Sequence, residues 1–543
     1  QTPEAGQVKD TIDVLPSDDE IIKKKNYWLA ESKTYYEYLK EAQDRNEKYY
    51  LGNQTKRDQI PAHLSNFVGN RIFESAETIL PIITARPAEF IAKSPDNSEL
   101  GLKKAQKVQL TLSNLYDELN MPAKLEDTAR FALIYRFGVL KAFWDDERDD
   151  VGVKVVRPQR IRIPKYGRYV SELPYIIEKL DMTYQEIKDF FGEETANKVM
   201  GFGTQAGSAE EDKMDTIKRV WTIEEIWTDW WVAYTYENQV LKKEENPYWK
   251  KTGNYFKKPR KPYIFLSPFS LGKSPVAETS IVEQAIPIQD GLNAVARIII
   301  NHATKTANSP WLIDNSTMTK EEADSIRNEP GLVIYGSGVA NPNMVRRDSP
   351  PPMPNYIFEL WMSFNKSLDN LFGTHSTTRG EREGRETARG RILLKQADIG
   401  RLDYIVREID RAVREVGEYV VQLMKLFYTD ARKIKVFGLE GIEEFSFSQE
   451  DIEEGLEIFV RSGSTLPKDE TSEADQAIQL WQMGAVDPIT LYEKLKFPNP
   501  QQTVERLMKW KMGTLVPQTQ PTPPSGGVGL PAGGTMPPAL GGI

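Results

Sequence analysis

The chain has 543 residues, with 70 Lys and Arg against 79 Asp and Glu for a formal charge of −9, three His and no Cys. At about 150 residues per domain this length predicts two to four domains. The missing Cys excludes a disulfide framework, a zinc ribbon, an iron–sulfur cluster and a thiol nucleophile, and points to a reducing compartment or a virion.

Residues 1–20 are polar and acidic, without the basic and apolar stretches of a signal peptide, and are expected to be flexible; a start without Met points to trimming or processing. Residues 21–51 carry Tyr27, Trp28, Leu29, Tyr35, Tyr36, Tyr38, Leu39, Tyr49 and Tyr50 among Lys and Glu, at spacings that predict one or two amphipathic helices stopping at Gly52. Such a stripe reads as core packing before base stacking. Segments 66–94 and 100–138 read as helices, the first interrupted at Pro81 and Pro87, and β-prone segments follow at 139–144, 151–156 and 161–163. Apolar runs such as 131–135 fall far short of the ~18 residues of a membrane span. The aromatic-rich stretch 217–241 predicts antiparallel strands.

Helices at about 280–307 and 355–372 flank a Pro- and Gly-punctuated stretch, and an Arg/Gly/Glu tract covers 374–391. From Leu402 the apolar positions Ile405, Val406, Ile409, Ala412, Val413, Val416, Val420, Leu423 and Phe427 keep a three-four spacing. They predict one helix over 390–428, roughly 58 Å long, able to bend at Gly400 and Gly417. Strands at 433–437, 445–447 and 456–461 and two or three helices in 471–512 precede a Pro- and Gly-rich tail, 513–543, expected to be disordered. The fold class is α+β, mainly helical.

Motifs for catalysis fail on their physical requirements. Gly272-Lys273-Ser274 ends like a phosphate-binding loop, but Ser267 stands where the loop needs its first glycine, and Pro275 removes an amide where the helix should begin. In the stretch from Gly201 to Gly207 the glycines have the wrong spacing for a dinucleotide loop and no strand precedes them, so a surface loop is expected. His63, His302 and His375 are scattered, and Asp145, Asp146, Glu147, Asp149 and Asp150 read as a solvated turn rather than a cation site. No catalytic residue, cofactor or metal is expected.

The order helix, compact insert, helix, charged loop, very long helix carries the strongest functional signal. With NEKYYLG at 46–52, RIFESAETILPIITARP at 71–87, GTHSTTRGEREGRETARGRILLKQADIGR at 373–401, the segment 407–428, and 461–495 with its GSTLP and Asp487-Pro488, the chain resembles the portal proteins of tailed bacteriophages. The resemblance spans about 45 to 500. It implies a ring, usually of twelve subunits, at one capsid vertex, through which double-stranded DNA passes during packaging and ejection. It also implies assembly in the host cytoplasm, no membrane, and partners in a packaging ATPase (terminase), tail adaptor proteins and the major capsid and scaffolding proteins. Mapped onto this chain, it implies a wing over 21–280, a first stem helix over 281–307, a clip over 308–353 and a second stem helix over 354–372. A tunnel loop at 373–390, a long wing helix with strands over 391–469 and a crown at 470–512 complete the subunit.

On that map Arg379, Arg382, Arg385, Arg389 and Arg391 are candidates to meet DNA in the channel, with Glu381, Glu383 and Glu386 interleaved as alternative partners. Trp311, Ile313, Leu332, Ile334 and Tyr335 are the candidate clip surface. Twelve copies would carry a formal charge of about −108, which suits a duct along which a polyanion slides. Two other readings are a nucleotide-hydrolysing packaging motor, which the defective Gly-Lys-Ser loop disfavours, and a head-to-tail adaptor or capsid structural protein, which is usually a shorter chain.

Overall fold

The computed structural model describes residues 15–55, 61, 64–84, 89–96, 98–203, 220–309, 311–313, 319–321, 345–347, 350–374, 388–438, 441–461, 470–495, 503–504 and 506–508. They divide between two compact units, one of Gln1–Val436 with Glu444–Pro467, the other of Phe437–Glu443 with Lys468–Ile543.

In the first unit, Ser17 caps helix α1 (Asp18–Glu31) in a reciprocal box with Glu20, so helix begins inside the stretch expected to be flexible. After Ser32 comes α2 (Lys33–Tyr50), and the chain turns at Gly52, whose φ is +74°. The expected helix over 66–94 is α3 (Arg71–Ile83) followed by a strand, β1 (Phe90–Lys93). Pro81 lies inside α3, where it cannot donate to the Glu77 carbonyl one turn back, and the helix ends two residues later. The segment 100–138 is two helices, α4 (Glu99–Glu118) and α5 (Met121–Tyr135), split at Asn120, which takes the left-handed conformation at φ 50° ahead of Pro122.

Strands β2 (Gly138–Asp145) and β3 (Asp150–Val156) form a hairpin that β9 (Tyr263–Leu266) extends into a three-stranded antiparallel sheet. Gly138 is required here: a Cβ would stand 2.2 Å from the Thr128 carbonyl of α5. A five-stranded antiparallel sheet runs β4 (Ile161–Arg162), β5 (Ile176–Thr183), β6 (Val220–Trp227), β7 (Trp231–Tyr236) and β8 (Gln239–Glu245), with α6 (Tyr184–Phe191) and α7 (Glu193–Gly203) between its second and third strands. The antiparallel strands expected over 217–241 are present as β6, β7 and the start of β8; most of the Gly201–Gly207 stretch lies outside the described residues.

The two sheets pack through Val139, Val156, Phe265, Ile176, Ile223 and Trp227, and α1 closes the outer face of the larger one, its Trp28 ring stacked 4.5 Å from Tyr175 and 6.2 Å from Trp231. Trp28 thus packs in a core, while Tyr27 and Tyr38 of the same stripe are exposed.

Helix α8 (Ile281–Ala307) precedes a two-stranded ladder of β10 (Trp311–Ile313) and β11 (Val345–Arg347), and α9 (Tyr356–Phe372) returns. The longest helix, α10 (Ala388–Phe427), starts two residues before its expected bound. Its apolar face, Ile405, Val406, Ile409, Val413, Val420 and Leu423, is buried against the strand Glu457–Val460, β9, β2, α3 and α4. The helix runs through both glycines. Gly417 serves a close approach, since a Cβ there would lie 2.9 Å from the Phe90 ring. Strands β12 (Arg432–Gly438) and β13 (Gly441–Phe447) pair, and β14 (Glu457–Val460) pairs with β1 in antiparallel register, Phe90 opposite Val460.

In the second unit, α11 (Glu470–Gln482) and α12 (Pro488–Lys494) pack side by side, α12 capped by the Asp487 carboxylate, which accepts from the Ile489 and Thr490 amides. No helix among the described residues is long and apolar enough to cross a membrane.

Candidate functional site

Helices α8 and α9 lie antiparallel, joined where the ring of His302 meets the Pro351 carbonyl at 2.8 Å and anchored to α3 by the Arg71–Asp369 ion pair at 3.0 Å. They approach closely at Gly291, where a Cβ would stand 2.6 Å from the Phe364 ring. The sequence of α9 explains its exposure. Its opening, YIFELWMSF, is apolar on nearly all sides, more than one contact with α8 can cover. Tyr356 is 64% exposed and Met362 63%, with Phe358, Leu360 and Trp361 also exposed; the buried residues of α9 are Leu368 and Phe372, at its other end. An apolar surface of this kind marks an association face. The signal of this face in the sequence is an apolar run from Tyr356 to Phe364 interrupted only by Glu359 and Ser363.

The candidate clip residues Trp311 and Ile313 fall on β10, opposite Arg347 and Val345 of β11; Leu332, Ile334 and Tyr335 lie outside the described residues. Gly373 ends α9 in the left-handed conformation, φ 68°, and Thr374 then donates its amide to the Asp369 carbonyl. Arg379, Arg382 and Arg385 lie outside the described residues. Arg389 and Arg391, assigned by position to the charged loop and its exit, fall in the first turn of α10, and 375–387 lie outside the described residues.

Two polar features of the body bear on chemistry. The first is a groove of about 730 Å³ between the 168–171 and 256–275 segments and the 408–419 part of α10. Its cations are largely engaged from within: Arg411 binds Glu408, Glu415 and the Phe265 carbonyl, and Arg260 pairs with Glu418. Gly272-Lys273-Ser274 lies on its rim, but the Leu271 amide is bonded to Glu278, the Gly272 amide to the Ser270 hydroxyl and the Val276 amide to the Ser274 hydroxyl. Those amides are spent on the loop itself and do not wrap a phosphate.

The second feature is a charge cluster sealed between the two sheets. Lys141 of β2 donates to Glu178 of β5 at 3.1 Å and to Glu225 of β6; Glu178 also takes Lys154 at 3.0 Å and the Tyr263 hydroxyl at 2.8 Å, and Glu225 takes the Trp227 indole and the Tyr234 hydroxyl. Burial alone would raise the Glu178 carboxyl, but Lys141 and Lys154 overcome it and hold it down, to about 2. Every member has a partner, so the cluster is a structural lock between sheets.

Asp145 accepts from the Glu147 and Arg148 amides, Asp149 pairs with Arg432 at 2.9 Å, and Asp150 accepts the Tyr428 hydroxyl at 2.6 Å. The acidic run thus organises the β2–β3 turn. Among the described residues no group of three or more carboxylate or His side chains is placed to hold a metal.

A family model described as phage P22-like portal protein matches residues 116–526, more than half of the chain. No protein with a curated description matches.

Proposed function

Because the chain belongs to the phage P22-like portal protein family, a structural family of the phage capsid vertex, we propose that it closes into a ring that conducts double-stranded DNA into and out of the capsid. The observation that carries this reading is the exposed apolar face of α9, from Tyr356 to Met362, which a neighbouring copy would cover. In this reading α8 and α9 are the stem and 308–353 is the clip that docks the packaging ATPase and the tail adaptors. The 21–280 region with α10 is the wing, and 470–512 is the crown. Residues after Gly373 line the bore, where Arg379, Arg382 and Arg385 touch phosphates without reading sequence and the interleaved Glu residues keep the contact weak. The capsid and scaffolding proteins surround the ring, which assembles in the host cytoplasm.

Electron microscopy and native mass spectrometry of the purified chain test the ring. Channelled particles of fixed subunit number are expected, and Leu360→Asp with Trp361→Asp should yield folded monomers. Monomers alone at micromolar concentration, with capsid components present or absent, would overturn the proposal. Changing Arg379, Arg382 and Arg385 to Gln separates the loop's roles: intact rings that package poorly or leak DNA support a channel contact, failed assembly assigns the Arg residues to pairing between subunits, and no change removes the loop from the mechanism.

A further inference from the structure

Gln289, Asn293, Arg297 and Asn301 recur at every fourth position of α8, and each reaches the main chain of the irregular segment that leads into α3. Asn301 Oδ1 accepts the Ser65 amide at 2.7 Å, and Arg297 Nε donates to the Phe67 carbonyl at 2.9 Å. Asn293 Oδ1 accepts the Gly69 amide at 3.0 Å, while Gln289 donates to the Gly69 carbonyl at 2.6 Å and accepts the Arg71 amide at 3.1 Å. The match is geometric. One rung per helical turn, about 6 Å of rise, meets residues 65, 67 and 69 of a segment running the opposite way. The rungs bind main chain and leave Leu64 and Phe67 exposed.

The rungs differ in burial. Gln289 is 0% exposed and Asn293 3%, whereas Arg297 and Asn301 are half-buried. Apolar packing of α8 stops at the same place, its last buried residue being Ala296, and the opening of α9 that lies alongside has no buried residue. Beyond Ala296, among the described residues, the hydrogen bonds from α8 to the α2–α3 region are the two outer rungs and a second bond from Arg297 to the Thr55 hydroxyl at 2.8 Å. On the inner side stand Pro287, which cannot donate to the carbonyl one turn back, and Gly291 under the Phe364 ring.

We infer that α8 carries a binding site for irregular main chain, occupied in cis by residues 64–71, and that its two outer rungs are a latch. While the latch is closed, the half of α8 beyond Ala296 is held to the body. When it opens, that half moves away from the segment before α3 together with the first turns of α9, the bend falling just beyond Ala296, and the inner rungs stay bonded. Half-exposed hydrogen bonds exchange with water at small net cost, and segments with few buried apolar contacts open first. The inference goes beyond the ring and operates within one subunit.

The absence of Cys allows a direct test. Ser65→Cys with Asn301→Cys places the chain's two thiols across the outermost rung; the reduced protein lacks that rung and the oxidised protein is locked. Hydrogen exchange followed by mass spectrometry is expected to be roughly fivefold faster in 297–307 and 356–362 of the reduced form than in the unaltered chain. It should be slower than in the unaltered chain once oxidised, with the inner part of α10 unchanged throughout. Equal exchange in all three samples would overturn the latch. Failure of the disulfide to form in the folded chain would overturn the placement of the strap. A second variant, Arg297→Ala, should reproduce the reduced phenotype, and exchange like that of the unaltered chain would also count against the proposal.

Discussion

The core around α10 and the outer half of the α8–α9 pair treat polarity in opposite ways. In the body, Lys141, Glu178 and Glu225 are buried in an apolar layer and completely partnered. In the outer half, Tyr356, Phe358, Trp361 and Met362 face solvent, and the tethers to the body are polar bonds at half-exposed positions. The body closes its core within the chain, and the outer half does not cover its own apolar side chains. The contrast separates a region whose polar groups are sealed and paired from one that leaves apolar side chains in solvent.

The largest expected effect comes from breaking the body's lock. Lys141→Met leaves two carboxylates buried without their shared cation and should cost about 3–5 kcal/mol in denaturant unfolding. Adding Glu178→Gln and Glu225→Gln should restore much of it, and a loss below about 1 kcal/mol for the single change would mean the cluster is not a lock. Acid probes the same site. Glu178 is held below its unfolded value, so its contribution is complete above about pH 4.5 and falls away as the pH drops toward 2. Roughly 3 kcal/mol should disappear over that window, and Glu178→Gln should flatten this part of the stability profile.

An intermediate effect is expected at the junction of the two regions. Gly291→Val drives a branched side chain into the Phe364 ring and should cost about 2 kcal/mol, with Phe364→Ala in the same chain recovering part of it; additive losses in the double-mutant cycle would show that the contact does not matter. The smallest effect belongs to the exposed face. Tyr356→Ser with Met362→Ser should change monomer stability by less than about 0.5 kcal/mol at high dilution, and a larger loss would make that face part of the core.

How much of this the sequence disclosed follows from the range of the interactions. Strand alternation and the three-four spacing of α10 are local, and they located β2, β3, β6 to β8 and the long helix within a few residues. Residues 90–93 were read as helix because their defining partner, 457–460, is remote in sequence. The Lys141 cluster was hidden for a similar reason, since alternation does not tell which face of a strand is buried when polar residues occupy both. The four-residue spacing of Gln289, Asn293, Arg297 and Asn301 was visible, but nothing local names the segment more than 200 residues earlier that they bind. Of the candidate channel and clip residues, Arg389 and Arg391 belong to α10 and Trp311 and Ile313 to β10, and the others lie outside the described residues.

The pairing of β1 with β14 also sets a schedule for synthesis. Phe90 meets Val460, so the strand at 90–93 leaves the ribosome some 370 residues before its partner exists. At ordinary elongation rates that interval is roughly 20–70 s. During it β1 has unpaired main-chain edges, and the Phe90 ring lacks the space beside Gly417 that it later fills. The earlier helices can assemble as they emerge, but this part of the body closes only after nearly the whole described chain has been made. A nascent chain released early, before residue 457, would therefore carry an open strand edge able to pair with other chains.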